Sequence, residues 1–373
     1  MTEKPKIKVL SCFGTRPEAV KMAPVVKELE RRSEFESKVV VTAQHREMLD
    51  QVLDLFGIQP DYDLDIMREN QSLFDVTTRA LEGLGPVIEA ESPDVLLVQG
   101  DTTTTFAAAL AAFYLKVPVG HVEAGLRTYD KRHPFPEEIN RQLTTVLADF
   151  HFAPTRLSKE NLLKEGVPEE RIFITGNTVI DALLSVVRDD YEFEGEELKK
   201  VGKGGKRLVL VTAHRRENWG EPLEEICRAI KELSEAHDIE IVFSVHRNPR
   251  VREAVGKVLN ACERVHLVEP LDYEPFVQLI NASYLILTDS GGIQEEAPSL
   301  GKPVLVLREV TERPEGVEAG TVKVVGRSSA RIVKEASCLL DYPEAYEAMA
   351  KAVNPYGDGH ASERIVEILL KHL

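Results

Sequence analysis

The clearest strand–turn–helix pattern in the chain is Tyr284-Leu-Ile-Leu-Thr-Asp-Ser-Gly-Gly-Ile-Gln-Glu-Glu296. Its first half is apolar and β-branched and predicts a buried strand, whereas Ser290, Gly291 and Gly292 predict a tight turn into a helix. The first amides of a helix have no intrahelical partners, and the helix dipole favours an anion there. The segment therefore predicts either a phosphate-binding turn or an ordinary strand–helix connection with an N-cap.

The same alternation of strand and helix runs through the whole chain. In the first half, strands are predicted at 7–13, 38–43, 95–99 and 117–122, with helices between them. A charged segment at 189–206 separates this half from a second series of strands and helices. Continuous apolar strands joined by helices predict parallel sheets covered on both faces. We therefore expect an α/β fold with two Rossmann-like, doubly wound parallel-sheet domains that face a cleft.

The composition restricts the class of protein. The chain has 373 residues, which predicts two domains, and its net charge of −16 makes it a poor general binder of nucleic acid. Its four cysteines form no CxxC pair, so we expect neither disulfides nor a metal site, and we expect a cytoplasmic location. No apolar run is long enough to predict a membrane span. Neither half has a G-x-G-x-x-G after its first strand, so a dinucleotide cofactor is not predicted.

The ligands of doubly wound sheets bind beyond the carboxyl ends of the strands, so the residues that follow the strands are candidates for a site. In the first half they include two basic and three acidic side chains: Arg16, Lys21, Asp101, Glu123 and Glu137. Carboxyl groups that lie close together have raised pKa values and can exchange protons near neutral pH. Two structural alternatives stay open: Asp101 could be a helix N-cap, and Glu137 could favour the helix dipole or pair with Arg141.

The second half places basic side chains near the glycine turn, namely His214, His246 and Arg313. The first half thus contributes mainly acidic side chains and the second half basic ones. This difference in charge predicts that the second domain holds a diphosphate and the first holds a neutral, reacting group. A histidine would supply a further acid/base group. The alternatives are that both histidines are solvated loop residues and that Arg313 is exposed. His121 and His151 lie within apolar strands and are predicted to pack in the core.

Eight longer motifs carry a family resemblance. They are Phe13-Gly-Thr-Arg-Pro-Glu18, Thr42-Ala-Gln-His-Arg-Glu-Met-Leu-Asp50, Val98-Gln-Gly-Asp-Thr102, His121-Val-Glu-Ala-Gly-Leu-Arg127, Pro134-Phe-Pro-Glu-Glu-Ile-Asn-Arg141, Thr212-Ala-His-Arg-Arg-Glu-Asn218, Thr288-Asp-Ser-Gly-Gly-Ile-Gln-Glu-Glu-Ala297 and Thr311-Glu-Arg-Pro-Glu-Gly-Val-Glu-Ala-Gly320. In this order they resemble the non-hydrolysing UDP-N-acetylglucosamine 2-epimerases. The resemblance covers nearly the whole chain, and no motif residue departs from the family pattern.

The resemblance implies a glycosyltransferase-B (GT-B) type of fold, a homodimer and no cofactor. It implies a first domain of residues 1–172 with the C-terminal helix 358–373, and a UDP-binding second domain of residues 173–357. The implied reaction is the reversible conversion of UDP-N-acetylglucosamine into UDP-N-acetylmannosamine. In that family, carbon 2 loses a proton as UDP leaves carbon 1, and UDP then adds back to a 2-acetamidoglucal.

The resemblance also implies roles for individual residues. The catalytic residues would be Asp101, Glu123, Glu137 and His214. The residues that bind UDP or support the substrate would be Arg16, Lys21, His246, Ser290, Gly291, Gly292, Glu296 and Arg313, with Glu296 on the ribose hydroxyls. Bacterial relatives bind a second substrate molecule as an activator, and the residues at that position here are Gln44, His45 and Arg46. Glu47 stands where some relatives have Gln, so the resemblance supports an allosteric site less strongly than it supports the catalytic and UDP-binding residues.

Three other functions stay open at this point. A hydrolysing epimerase would release UDP and N-acetylmannosamine, and it differs only in that water ends the reaction. A sugar transferase could use the same fold, although the carboxylate-rich first domain argues against it. A non-catalytic sensor of nucleotide sugars would need only the UDP-binding half, so the acid/base residues argue against it.

Overall fold

The computed structural model describes residues 5–43, 46–68, 70–194, 198–200 and 205–373. The chain forms two compact units. Unit 1 consists of Met1–Leu184 and Tyr356–Leu373, and unit 2 of Ser185–Pro355. Gln44 and His45, two of the residues predicted for an allosteric site, lie outside the described residues.

Unit 1 is built on a parallel sheet of seven strands within its described residues. The strands are β1 (Ile7–Phe13), β2 (Phe35–Val41), β3 (Tyr62–Asp63), β4 (Val95–Gln99), β5 (Val119–Val122), β6 (Phe150–Ala153) and β7 (Ile172–Ile174). Their order in the sheet is β3-β2-β1-β4-β5-β6-β7. Every residue of the central strand β4 is buried, which is typical of a parallel strand that is covered on both faces.

Helices follow most strands of unit 1. They are α1 (Arg16–Arg31), α2 (Arg46–Phe56), α3 (Leu73–Glu91), α4 (Thr103–Tyr114), α5 (Glu137–Leu147), α6 (Arg156–Lys164) and α7 (Thr178–Val186), and α7 contains the division between the units. One apolar cluster joins Leu84 and Ile88 of α3 to Leu10 and Leu96 of the sheet. Burial of this kind stabilises a domain by roughly 25 cal/mol per Å² of apolar surface.

Unit 2 repeats the architecture with six strands in its described part. The strands are β8 (Arg207–Ala213), β9 (Ile239–Val245), β10 (Val265–Val268), β11 (Leu285–Thr288), β12 (Val304–Val306) and β13 (Val322–Val324). All pairs are parallel, in the order β10-β9-β8-β11-β12-β13. The helices are α8 (Glu221–Ala236), α9 (Pro249–Leu259), α10 (Tyr273–Ala282), α11 (Gly291–Glu296), α12 (Pro314–Ala319), α13 (Ser329–Asp341) and α14 (Pro343–Ala350).

The chain then returns to unit 1 through the last helix, α15 (Ala361–His372). This helix packs against α1. Its start is held by the buried carboxylate of Asp181 in α7. That carboxylate accepts hydrogen bonds from the backbone N–H groups of Ala361 (3.2 Å) and Ser362 (2.7 Å). Asp181 therefore satisfies amides that would otherwise have no partner at the helix N-terminus.

The strand order of each sheet reverses at one point. The reversal lies between β1 and β4 in unit 1 and between β8 and β11 in unit 2. Ligands of doubly wound sheets bind at the carboxyl ends of such neighbouring strands, because the following loops diverge there. The loops after these four strands carry predicted site residues: Arg16, Asp101, His214 and Ser290.

These sheets confirm the predicted fold class, an α/β fold with two Rossmann-like parallel-sheet domains. Some strand boundaries differ from the prediction: β11 begins at Leu285, β2 spans Phe35–Val41 and β5 begins at Val119. The N-cap alternative for Asp101 is wrong. Thr102 is the N-cap of α4, and its hydroxyl accepts a hydrogen bond from the backbone N–H of Thr105. Among the described residues, no helix combines the length and the apolar character that a membrane span requires.

Candidate active site

Asp101 follows β4 in a sharp turn. Gly100 has φ = +73°, a backbone conformation that glycine adopts without strain. Two side chains of α5 hold the turn, since Arg141 Nη1 lies 3.0 Å from Asp101 Oδ2 and Asn140 Nδ2 donates to Asp101 O at 2.9 Å. Desolvation raises the pKa of Asp101 above its usual range, the Arg141 charge opposes this shift, and the Glu123 charge adds to it. Asp101 is therefore a carboxyl group that can hold a proton closer to neutral pH than a free Asp.

Glu123 follows β5 with φ = +65°, which is uncommon for a residue that has a side chain. It is buried, and three side chains donate to its carboxylate. The donors are Lys21 Nζ (2.5 Å) and Asn177 Nδ2 (3.0 Å) to Oε1, and Gln99 Nε2 to Oε2. A Cβ at Gly100 would lie 3.6 Å from Glu123 Oε2. The Glu123 carboxylate thus lies directly beside the turn that carries Asp101.

Glu137 is the first residue of α5 and is half-buried. The alternative in which it pairs with Arg141 is wrong. The Arg141 guanidinium pairs instead with Asp101 (3.0 Å) and with the buried Glu138 (2.9 Å). The Glu137 charge nevertheless contributes to the raised pKa of Asp101, as the smallest of its causes. The charges of Glu123 and Glu137 therefore both act on Asp101, and both raise its pKa.

Glu18, which the sequence analysis did not select, joins the two loops that carry Arg16 and Asp101. Glu18 belongs to α1, and its side chain is buried. Its carboxylate accepts four hydrogen bonds, from Gly14 N (3.1 Å), Thr15 N (2.8 Å), Thr102 Oγ1 (2.7 Å) and Thr105 Oγ1 (3.1 Å). Burial raises the pKa of Glu18, and the hydrogen bonds oppose that shift. Arg16, half-buried as the first residue of α1, is thereby fixed relative to the Asp101 loop.

The glycine turn of unit 2 lies against two arginine side chains. A Cβ built on Gly291 would be 3.8 Å from Nη2 of both Arg215 and Arg313. Arg215, which was not predicted from the sequence, is held by a hydrogen bond from its Nε to Asp289 O (3.1 Å) and by a contact with Glu312 (3.4 Å). Two fixed guanidinium groups beside the turn are donors of the kind that bind phosphate groups.

Arg313 is held in place, so the alternative that it is simply exposed is wrong. Its side chain is only 18% exposed, and its Nε donates to the carboxylate of Glu295. Glu296 is buried beside the same turn. Tyr273 Oη lies 3.4 Å from Glu296 Oε1, and a Cβ at Gly292 would lie 3.7 Å from Glu296 Oε2. Arg313 and Glu296, two of the residues predicted to bind UDP, therefore lie beside Gly291 and Gly292.

His214 and His246 follow the neighbouring strands β8 and β9, and their rings stack at 6.5 Å between centroids. Both side chains are exposed to solvent, as the loop alternative expected, yet His214 is held from one side. His214 Nδ1 lies 3.2 Å from Oδ1 of the buried Asp289. Desolvation lowers the pKa of His214 below its usual value, and the Asp289 charge opposes this shift. A neutral imidazole near pH 7 can accept a proton.

The remaining predicted residues have structural surroundings. His121 and His151 are buried, as predicted, and burial lowers their pKa values to about 4 and about 3. Arg46 of the predicted allosteric group contacts three carboxylates at the edge of the unit 1 sheet, those of Asp63 (2.6 Å), Asp50 (3.4 Å) and Asp65 (3.6 Å). Its charge is therefore already compensated within unit 1.

The residues that the sequence analysis missed are partners of the predicted ones. Gln99, Arg215 and Asp289 lie within the quoted motifs, so their positions could have suggested them. Asn177 lies outside every motif. Its contact with Glu123 spans 54 residues of sequence, and nothing in the local pattern signals it.

Comparisons with known proteins agree on one family. The model of the UDP-N-acetylglucosamine 2-epimerase family matches residues 27–370. The chain is 57% identical over 371 residues to the UDP-N-acetylglucosamine 2-epimerase of Escherichia coli K12, covering 97% of this chain and 98% of that protein. The crystal structure of UDP-GlcNAc 2-epimerase from Neisseria meningitidis bound to UDP-GlcNAc has 54% identity and a TM-score of 0.86, covering 98% of this chain and 100% of that one.

A more distant solved structure shows the same similarity. The UDP-GlcNAc 2-epimerase of Methanocaldococcus jannaschii, in complex with UDP-GlcNAc and UDP, has 36% identity and a TM-score of 0.78. The match covers 98% of this chain and 100% of that one. The chain therefore belongs to the UDP-N-acetylglucosamine 2-epimerase family and is an epimerase.

Proposed function

We propose that this chain interconverts UDP-N-acetylglucosamine and UDP-N-acetylmannosamine without net hydrolysis. The observation that carries the proposal is the pair of carboxyl groups after β4 and β5. Asp101 has a raised pKa beside Arg141, whereas Glu123 accepts hydrogen bonds from three donors. Inversion at carbon 2 requires groups that remove and return a proton, and two carboxyl groups in different environments suit that work.

Unit 1 supplies most of the acid/base groups in this proposal. Asp101, Glu123 and Glu137 act with His214 to take the proton from carbon 2 on one face and to return a proton on the other. As the proton leaves, the bond from carbon 1 to the UDP oxygen breaks, and UDP takes the electron pair. A 2-acetamidoglucal remains, and UDP adds back to carbon 1 as carbon 2 is reprotonated.

Unit 2 supplies most of the groups that hold UDP. Arg313, Arg215, the Ser290 side chain and the backbone amides of Gly291 and Gly292 would bind the diphosphate, because these groups are held in place before the substrate arrives. Glu296 would accept hydrogen bonds from the ribose hydroxyls, and His246 would contact UDP. Arg16 and Lys21 would support the substrate from unit 1. The proposed first domain, residues 1–172 with 358–373, thus carries most of the acid/base groups, and the second, residues 173–357, carries most of the groups that bind UDP.

The reaction is tested by incubating the protein with UDP-N-acetylglucosamine in heavy water and following the mixture by NMR. The proposal predicts deuterium at carbon 2 and an equilibrium mixture of two UDP-sugars with little free UDP. Accumulation of UDP with free N-acetylmannosamine would instead assign the hydrolysing reaction. Absence of exchange at carbon 2 would refute both, and retained UDP binding would then favour a sensor.

The division of roles is tested with Asp101→Asn and Glu123→Gln. Both variants should lose carbon-2 exchange by at least about a hundredfold and still bind UDP in calorimetry. Glu160→Gln is the matched control, since Glu160 lies on the exposed face of α6, where it pairs with Arg156. Loss of UDP binding in the two site variants would contradict the assignment of UDP binding to unit 2.

We also propose a homodimer in the cytoplasm. Two packed helices of unit 1 expose large apolar side chains, namely Phe113 and Tyr114 of α4 and Leu143 and Val146 of α5. Apolar surface of this kind is typical of a protein interface. Light scattering should give twice the chain mass, and Val146→Glu should shift it toward the monomer. An unchanged dimer in that variant would exclude this face.

A further inference from the structure

Asp289, the residue before the glycine turn, has a carboxylate whose two oxygens have different surroundings. The side chain is fully buried. Its Oδ2 accepts three hydrogen bonds, from His214 N (2.9 Å), Arg215 N (2.9 Å) and Asn218 Nδ2 (2.8 Å). These bonds fix the plane of the carboxylate and fully occupy one oxygen.

The other oxygen faces the imidazole of His214. Oδ1 is buried and receives no hydrogen bond from the residues that the structure describes. His214 Nδ1 lies 3.2 Å from it. A buried carboxylate oxygen without a donor is costly, because it has lost its water. A proton on Nδ1 of His214 removes this cost with a small adjustment of the ring, whereas an unprotonated Nδ1 would place two acceptors side by side.

We propose that Asp289 is a positioning residue that holds His214 in the Nδ1–H tautomer, so that Nε2 carries the lone pair and exchanges the proton in the reaction. The inference rests on the proposed function only in the role it gives to His214. The carboxylate is well suited to this work because its position does not depend on the His214 side chain. The backbone N–H groups of His214 and Arg215 and the side chain of Asn218 hold it, and it lies in the loop that also fixes Arg215.

Other charged groups around His214 do not replace Asp289. Arg215 and the ring of His246 are the other titratable or charged neighbours that act on His214, and both disfavour a positive charge on it. Asp289 is the neighbour that favours a positive charge on the imidazole. It therefore orients the ring and also stabilises the imidazolium that forms when Nε2 takes a proton.

Asp289→Asn is the sharpest test, because it preserves shape and reverses one hydrogen bond. The amide oxygen of the new side chain must face the three donors that now bind Oδ2. Its NH2 group then faces His214 Nδ1 as a donor, which selects the opposite tautomer with the proton on Nε2. A comparable substitution in serine proteases leaves the geometry intact and lowers turnover through the wrong tautomer.

The tautomer is read by NMR on the full-length protein labelled with ¹⁵N-histidine, at a pH where the ring is neutral. His214→Gln identifies the signals. The wild type should show Nδ1–H, and Asp289→Asn should show Nε2–H. The same variant should lose carbon-2 exchange by about a hundredfold or more, with UDP affinity changed by less than about threefold.

Two control variants separate positioning from general damage. Asn218→Ala removes one hydrogen bond to Oδ2 but keeps the charge on Oδ1, so His214 should stay in the Nδ1–H form. Asp238→Asn makes the same chemical change at a side chain that is 74% exposed, and it should alter neither readout.

Two results would overturn the inference: an Nε2–H tautomer in the wild type, or an Asp289→Asn variant with unchanged tautomer and turnover. The tautomer of His214 in the wild type tests the inference even if the variant does not fold. A wild type that shows Nδ1–H but no exchange at carbon 2 would refute the proposed function and leave the Asp289–His214 contact supported.

Discussion

His121, near the carboxyl end of β5, should make unit 1 sensitive to acid. Its ring is fully buried, and its Nε2–H donates to Gly100 O at 2.7 Å. Burial lowers its pKa from 6.5 to about 4, and the hydrogen bond to Gly100 opposes this shift. Because the folded-state pKa lies below the unfolded one, the neutral ring stabilises the folded state above pH 6.5. This contribution is lost as the pH falls from 6.5 toward about 4.

The perturbation is His121→Gln, since a glutamine amide can donate to Gly100 O but does not bind a proton in this range. For each pH unit below the pKa of His121 in the unfolded state, the free energy of unfolding of the wild type should fall by about 1.36 kcal/mol. Between pH 6.5 and about pH 5 the wild type should therefore lose roughly 2 kcal/mol through this residue. The variant does not undergo this loss. The free energy of unfolding of the wild type relative to that of the variant should therefore fall by roughly 2 kcal/mol from about pH 7.5 to about pH 5.

The assay is urea unfolding followed by circular dichroism at several pH values, with the transitions of the two units fitted separately. His133→Gln is the control, because the His133 side chain is 82% exposed and hydrogen-bonds only to the exposed carboxylate of Asp130 among the side chains that the structure describes. A difference between wild type and His121→Gln that stays constant with pH would refute the reasoning. So would an NMR titration of His121 in the folded protein with a midpoint close to 6.5.

Three further variants test other contacts. Asn177→Ala removes a donor to Glu123 and should lower turnover about tenfold with UDP affinity unchanged. An equal loss of UDP affinity in calorimetry would contradict the role of Asn177 as a support of Glu123 alone. Arg313→Lys should weaken UDP binding by about tenfold or more, since lysine cannot reproduce the guanidinium fork beside Gly291; wild-type affinity would exclude Arg313 from the UDP site. Asp181→Ala should lower the free energy of unfolding by about 2 kcal/mol in urea titration, because the start of α15 loses its acceptor; an unchanged midpoint would argue against that role.

The fold and the location of the site could be predicted because both follow from local patterns. Strands such as β4 and β11 are short apolar runs bounded by turn residues, and helices separate them in the sequence. Once the sheets are parallel, the ends of neighbouring strands must lie at one edge. That topology places Asp101 beside Glu123, and His214 beside the turn at Ser290, without any further information.

The side chains that hold the site residues in place could not be predicted, because they lie in distant segments of the chain. Glu18 and Thr102 are 84 residues apart, and His214 and Asp289 are 75 apart. The alternative that paired Arg141 with Glu137 is wrong for a related reason. The helical spacing of four residues allows Glu137 as its partner, but the guanidinium reaches Asp101 across the strand end, a choice that only tertiary packing decides.

The backbone of Glu123 shows how such distant contacts support the chemistry. A left-handed conformation in a residue with a side chain costs on the order of 1 kcal/mol, so the surrounding structure must favour it. The hydrogen bonds from Lys21, Gln99 and Asn177 all end on the carboxylate, so they compensate for the strain only while the carboxylate is present and correctly placed. The proposed catalytic group is thus part of what stabilises its own loop. Its donors come from three separate segments of unit 1, so the conformation of this loop depends on the fold of the whole unit.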